Sequence, residues 1–113
     1  MGMTNFRRDL LVITENVGLD PYTNHITFRF RHSQRIESLG VEALGLEARG
    51  YNGLRRNKID TVGSVMNKWG ELKKLSYVGD NTVKAIKNAV MSLYYDTLTT
   101  EEKKQFWRDA FGE

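Results

Sequence analysis

Cysteine is absent from this chain of 113 residues. Without a thiol there is no disulfide framework, no thiolate nucleophile and no cysteine metal site, and the composition fits a reducing, cytoplasmic setting. No apolar run approaches the roughly 20 residues that a spanning helix needs, and the N-terminus lacks the apolar core of a signal peptide, so no membrane partner is expected. After Met1-Gly2, Phe6 stands where an N-myristoylation signal wants Ser or Thr. There are only two histidines, His25 and His32, seven positions apart and in no metal-ligating pattern. Gly63-Ser64-Val65 lacks the frame of a nucleophile elbow, and the glycines at 40, 45, 50 and 53 fit neither a phosphate loop nor a dinucleotide fingerprint. No pair of carboxylates is placed by a motif. The sequence therefore predicts no enzyme, no metal and no cofactor.

What remains is a moderately apolar, basic chain. Hydrophobic residues make up 40%, enough for a modest core in one small domain and too many for a disordered chain. The net charge is +3, unevenly spread. Residues 1–34 carry four basic and three acidic groups, residues 35–95 ten and six, and residues 96–113 three and five. The positive excess sits on the middle of the sequence, which is compatible with nucleic acid. The plainer reading is that Lys and Arg solvate helix surfaces.

The first 20 residues place Phe6, Leu10, Leu11, Ile13 and Val17 at roughly helical spacing, with Thr4 or Asn5 as cap and Asn16-Val17-Gly18 as stop. A strand through Leu10–Thr14 competes with that helix. The only proline lies in a turn cluster, Asp20-Pro21-Tyr22-Thr23-Asn24. From His25 to His32 the pattern alternates, with Ile26, Phe28 and Phe30 on one side and Thr27, Arg29 and Arg31 on the other. This predicts a half-buried strand over about 25–31 that pairs within an N-terminal hairpin or with a second copy of the protein, as a homodimer. Ser33 or Ser38 could cap a short helix carrying Ile36, Leu39, Val41, Leu44 and Leu46.

Four short helical pieces follow, at about Ala48–Arg56, Thr61–Asn67, Trp69–Lys74 and Gly79–Tyr94. Thr61 or Asp60 caps the second, and Val83, Ile86, Ala89, Val90 and Leu93 form a stripe on the fourth. The last helix opens on the capping box Thr99-Thr100-Glu101-Glu102 and carries Phe106, Trp107, Ala110 and Phe111 on its apolar side. The fold class expected is mostly α: a compact bundle of short helices with a helix-hairpin-helix-like motif, plus a short N-terminal strand or hairpin. The divisions are an extension at 1–35, a helical module at 36–95 and an amphipathic helix at 96–113.

Within the module two pieces carry chemistry. Arg49 and Asn52, three residues apart, share one face at a helix start. An Arg there can enter a narrow minor groove, and an Asn can donate to a base edge or a phosphate. Arg55, Arg56 and Lys58 can steer DNA toward them; alternatively Arg49 pairs with Glu47 or Glu42 on the surface, at little gain. In the second piece, Tyr77-Val78-Gly79, Val78 tucks inward and Gly79 lets the backbone turn tightly and approach a ligand. Asp80, Asn81 and Thr82 then open a helix whose free N–H groups suit a phosphate oxygen, although the Asp80 carboxylate competes for them.

The run Leu44-Gly45-Leu46-Glu47-Ala48-Arg49-Gly50-Tyr51-Asn52-Gly53-Leu54-Arg55-Arg56, then Ile59-Asp60-Thr61-Val62-Gly63, Glu71–Lys74 and Leu75–Ile86, resembles the C-terminal domain of the bacterial RNA polymerase alpha subunit over about residues 39–94. The resemblance implies a compact helical module that binds A·T-rich double-stranded DNA through the minor groove and touches transcription factors. It makes Arg49 the groove-inserting residue and Asn52 its companion. Lys74 matches a basic position before the turn, and Gly79 and Thr82 match the turn Gly and the Ser that meet phosphate. Asn81 stands at a phosphate-facing position. Gly53 replaces the usual Cys, Tyr77 replaces a polar residue, and Asp80 and Asn81 replace two basic residues. The protein is expected to be a stand-alone relative from a bacterium, phage or mobile element, since only about forty residues precede the match. The losses at 80 and 81 favour an alternative: a module docking on RNA polymerase or a transcription factor, with DNA binding weakened or lost.

Overall fold

The structure, a computed structural model, describes residues 4–16 and 28–111. The elements follow the helical periods of the sequence: α1 (Asn5–Asn16), α2 (Gln34–Glu37), a 3-10 turn (Val41–Leu44), α3 (Ala48–Arg56), α4 (Val62–Asn67), a 3-10 helix (Trp69–Lys74), α5 (Asp80–Asp96) and α6 (Thr100–Ala110). Among the described residues there is no sheet, only an isolated antiparallel bridge between Gly40 and Thr61. The protein divides into two compact units. One is His32–Tyr94; the other joins the described parts of Met1–Arg31 and Tyr95–Glu113.

In the second of these, α1 is helical across Leu10–Thr14, where a strand was the competing expectation. The amphipathic period places Phe6 and Leu10 inward, with Phe6 only 3% exposed. Residues 28–31 form no strand; the rest of the strand expected at 25–31, and the turn at 20–24, lie outside the described residues. Phe28 instead meets Phe6 edge-on at 5.6 Å and stacks on Phe106 at 5.3 Å. Tyr95, Trp107 and Phe111 extend this aromatic cluster. Its polar atoms are paired: the Tyr95 hydroxyl donates to Asp9 Oδ2 at 2.6 Å and accepts from Trp107 Nε1 at 3.0 Å. Burial, and then the Asp9 carboxylate, push the Tyr95 phenol above its ordinary range. The expected capping box holds α6, with Glu102 N–H on Thr99 Oγ1 at 3.2 Å and Thr99 N–H on Glu102 Oε1 at 2.9 Å.

The unit His32–Tyr94 is built on smaller aliphatic residues. Ile36, Val41, Leu54, Ile59, Val62, Val65, Leu72, Ile86 and Val90 are essentially fully buried, each contributing on the order of 1.5–3 kcal/mol. Leu39, expected inside, is 38% exposed. The bridge ties the 39–41 segment to the start of α4 through Val41 N–H on Asp60 O at 2.9 Å and Val62 N–H on Leu39 O at 2.8 Å. Thr61, rather than Asp60, caps α4 by accepting from Ser64 N–H. Ser33 occupies the N-cap position of α2, but its hydroxyl goes to Glu37 Oε1. The buried Tyr94 hydroxyl accepts from His32 N–H at 3.0 Å.

One ion pair of the aromatic unit contributes a pH-dependent part of its stability. Arg31 grips Asp109 with two hydrogen bonds, at 2.5 and 2.8 Å, and Gln105 adds a third at 2.9 Å. The Arg31 guanidinium foremost holds this carboxyl well below the usual carboxylate range, against an opposing push from burial. A depressed folded value gives stability that is present above the unfolded value of 3.8 and lost as pH falls below it. Urea midpoints of wild type and Arg31→Ala are therefore expected to differ near neutral pH and to draw together progressively as pH falls from 3.8 toward the depressed folded value. A gap that stays constant through acid would contradict this role.

Candidate functional site

The two pieces singled out in the sequence meet in the unit His32–Tyr94. Arg49 lies in the first turn of α3 and is exposed. It lines a groove of about 720 Å³ with Asn81 and Thr82 from the first turn of α5. Leu44, Leu46, Ala48, Ala85 and Ala89 give this groove its apolar lining, and Glu47, the N-cap residue of α3, stands beside Arg49. Among the described residues no carboxylate pairs with Arg49, so the alternative of an ion pair with Glu47 or Glu42 does not form. Arg49 is thus an exposed, carboxylate-free cation in the groove lining. Asn52 is exposed one turn further along the same face.

The next residue on that face, Gly53, is buried, so it offers no surface to a ligand. It does something else. A Cβ at Gly53 would sit 3.1 Å from the Tyr77 carbonyl oxygen and 3.1 Å from Val78 Cγ2. Glycine lets α3 lie this close to the 75–79 turn without any shift of its neighbours, and Val78 enters the core beside it at 7% exposure. A second device locks the approach. Asn57 Nδ2 donates to Gly53 O and to Ser76 O, both at 2.8 Å. One amide group thus binds the last turn of α3 to the turn that precedes α5.

The end of α3 explains why Asn57 is available. Ile59 N–H bonds to Leu54 O and Lys58 N–H to Arg55 O, both at 3.0 Å, with Lys58 in the left-handed region at φ 60°. This is a Schellman ending, closed by the buried pair Leu54 and Ile59. The Asn57 backbone N–H serves Leu54 O, which leaves Gly53 O for the Asn57 side chain. A lysine stands where glycine is usual, which hides the motif in the sequence.

In the 75–79 turn it is Tyr77, not Gly79, that takes a left-handed conformation, at φ 67°. That costs a non-glycine residue on the order of 1–2 kcal/mol. Tyr77 is also 69% exposed, and the Arg56 guanidinium lies over its ring at 4.8 Å. Gly79 accepts the first bond of α5 from Val83 N–H at 2.9 Å, and a Cβ there would meet nothing within 4 Å. Its backbone is therefore bare, and the N-cap of α5 has no side chain to occupy the free N–H groups behind it. Asp80 follows, exposed, and Asn81 and Thr82 line the groove. Lys74 is exposed at the end of the 3-10 helix and is not among the residues that line the groove.

Of the residues expected at a site, Arg49, Asn81 and Thr82 therefore share one groove. Asn52 and Gly79 are exposed beside it in sequence, Gly53 is a packing residue, and Lys74 stands apart. Sequence reasoning missed Asn57, because a lone Asn after a helix reads as a turn. It also missed the pairing of Arg56 with Tyr77, which depends on a three-dimensional turn. No group of acidic residues or histidines among those described could hold a metal ion, and no described helix is long and apolar enough to cross a membrane.

Comparison with known proteins points the same way as the residue pattern. The family model for the C-terminal domain of the bacterial RNA polymerase alpha chain matches residues 29–92, more than half of the sequence and nearly all of the unit His32–Tyr94. No curated protein and no solved structure matches it.

The clamp can be tested without any ligand. Asn57→Ala leaves the Ser76 carbonyl without its donor and is expected to cost about 1–3 kcal/mol. Gly53→Val, which must push α3 off the turn, is expected to cost a similar amount. Chemical denaturation measures both, and wild-type midpoints for both variants would contradict the close approach.

Proposed function

The protein belongs to the family formed by the C-terminal domain of the bacterial RNA polymerase alpha chain, and from that premise we propose that it binds A·T-rich duplex DNA in transcription. The family is associated with DNA binding in transcription and is not catalytic. In this reading Arg49 enters the minor groove, where a narrow A·T-rich tract concentrates negative potential. Asn52 follows it and donates to a base-edge acceptor or the flanking phosphate. The bare backbone at Gly79 and the first N–H groups of α5 receive a phosphate of the adjoining strand, with Asn81 and Thr82 as side-chain donors. Lys74 adds positive charge on the approach. We read the 3-10 helix, the turn and α5 as a helix-hairpin-helix unit, working in the bacterial cytoplasm.

The observation that carries this reading is the exposed Arg49, which has no carboxylate partner among the described residues and shares its groove with Asn81 and Thr82. Small residues along the groove, Ala85 and Ala89, leave room beside it.

Asp80 supports a second reading. A carboxylate in the first turn of α5 favours the same N–H groups and repels phosphate. With the hairpin's two expected cations missing as well, the module could serve chiefly to dock on RNA polymerase or a transcription factor.

Fluorescence anisotropy with an A·T-rich and a G·C-rich duplex across a salt series separates the two. The DNA reading expects binding at low salt with a preference for A·T, and Arg49→Ala is expected to lose about 1–3 kcal/mol together with that preference. Absence of binding at low salt, or binding indifferent to Arg49, would leave the docking role. Asp80→Asn is expected to tighten binding and steepen its salt dependence, as removal of a like charge beside phosphate should.

A further inference from the structure

Three cations close α3: Arg55, Arg56 and Lys58. They differ in what holds them. Arg55 is engaged by Asp60 at 3.4 Å, and Lys58 is exposed in the Schellman ending. Arg56 has no carboxylate partner among the described residues, yet it is not loose, because its guanidinium is laid over the Tyr77 ring at 4.8 Å.

Tyr77 itself is hard to account for by packing. It is 69% exposed, it occupies a left-handed conformation that Gly or Asn would adopt at less cost, and its hydroxyl makes no hydrogen bond among the described residues. The turn around it is held by other groups: Val78 in the core, Gly53 against the Tyr77 carbonyl, and Asn57 on Ser76 O. A strained, solvent-facing aromatic whose ring contact is a guanidinium is a device for placing that guanidinium.

Its place matters. Arg49, Asn52, Gly53 and Arg56 fall at helical spacings of three, four and seven, so they form one stripe along α3. Arg49 and Arg56 are two turns apart, roughly 10 Å along the axis. A minor groove is about 6 Å wide. Where α3 crosses the groove with Arg49 inside it, Arg56 reaches past the groove wall to the sugar–phosphate backbone beside it. We propose that Arg56, oriented by Tyr77, binds a DNA backbone phosphate at the hairpin end of α3, supplying the cation that positions 80 and 81 no longer carry. The proposal rests on the minor-groove reading above. The chemistry of the pair suits that contact. A guanidinium is planar, weakly hydrated and able to offer two parallel N–H donors to phosphate, while its face rests on the ring. Arg56 is the phosphate ligand, and Tyr77 is a positioning residue.

The test uses the whole 113-residue chain and the same two duplexes, over salt from about 50 to about 200 mM. Arg56→Ala is expected to weaken binding equally on both duplexes and keep the A·T preference. It should make the slope of log K against log salt shallower by about 0.9, the loss of one phosphate contact. Arg56→Lys, which keeps the charge, is expected to restore most of the slope. Tyr77→Gly relieves the left-handed strain, so its melting temperature should hold or rise while DNA affinity falls. In its background Arg56→Ala should cost less than in wild type, because the oriented contact is already gone. An unchanged slope for Arg56→Ala, in a wild type whose binding depends on Arg49, would overturn this assignment and leave the minor-groove reading standing. A wild type that binds neither duplex would overturn both.

Discussion

The approach of α3 to the 75–79 turn is the constraint on which the rest of the His32–Tyr94 unit depends. Three residues with different chemistries impose it. Gly53 contributes the absence of a side chain, so that backbone reaches backbone. Asn57 contributes two donors on one nitrogen, spanning the helix end and the turn. Val78 contributes the apolar burial that makes the approach favourable. The contact joins the last turn of α3 to the turn before α5, a few residues from the groove that the first turns of the two helices line.

Electrostatics then decide how such a groove behaves. The unit holds most of the protein's positive excess, but its charges are sorted by their partners. Arg55 spends its charge on Asp60 and Arg56 is laid against a ring, while Arg49 stays open. At the other wall, the dipole of α5 and its free N–H groups favour an anion, whereas Asp80 disfavours one. The dipole and one carboxylate are of comparable size at an exposed helix end, each a fraction of a kcal/mol to about 1 kcal/mol. Neither dominates, so the balance rests on the arginines of α3. On the proposed reading, DNA would be held chiefly through α3 rather than through both walls equally.

Much of this was legible in the sequence. The four short helical pieces, the Thr99–Glu102 capping box and the aliphatic stripe of α5 follow from period and capping chemistry, which are local properties. The resemblance to the family was carried by Arg49, Asn52 and the Ile59–Gly63 run, and the family match agrees with it. What was hidden depends on long-range contact. Gly53 counted among the DNA-binding positions while its replacement of Cys read as a packing change; the Tyr77 carbonyl, 3.1 Å from where its Cβ would stand, gives that packing its partner. Left-handed residues are normally flagged by Gly or Asn, yet here Lys58 and Tyr77 adopt that conformation, so both the Schellman ending and the true pivot of the turn were invisible. Residues 28–31 alternate like a strand, but Phe28 is taken by an aromatic cluster whose members come from α1, α5 and α6. Alternation over so few residues cannot distinguish a ladder from a single anchored ring.

One face of the His32–Tyr94 unit, made of the α3 stripe and the start of α5, is where DNA is proposed to bind. The most direct test is a titration of isotope-labelled protein with an A·T-rich duplex, followed by amide and Arg side-chain chemical shifts. Shifts are expected to concentrate at Arg49, Asn52, Arg56 and Gly79–Thr82, with the amides of α6 unmoved. Shifts centred elsewhere, with Arg49 and Gly79 unperturbed at saturation, would contradict that placement.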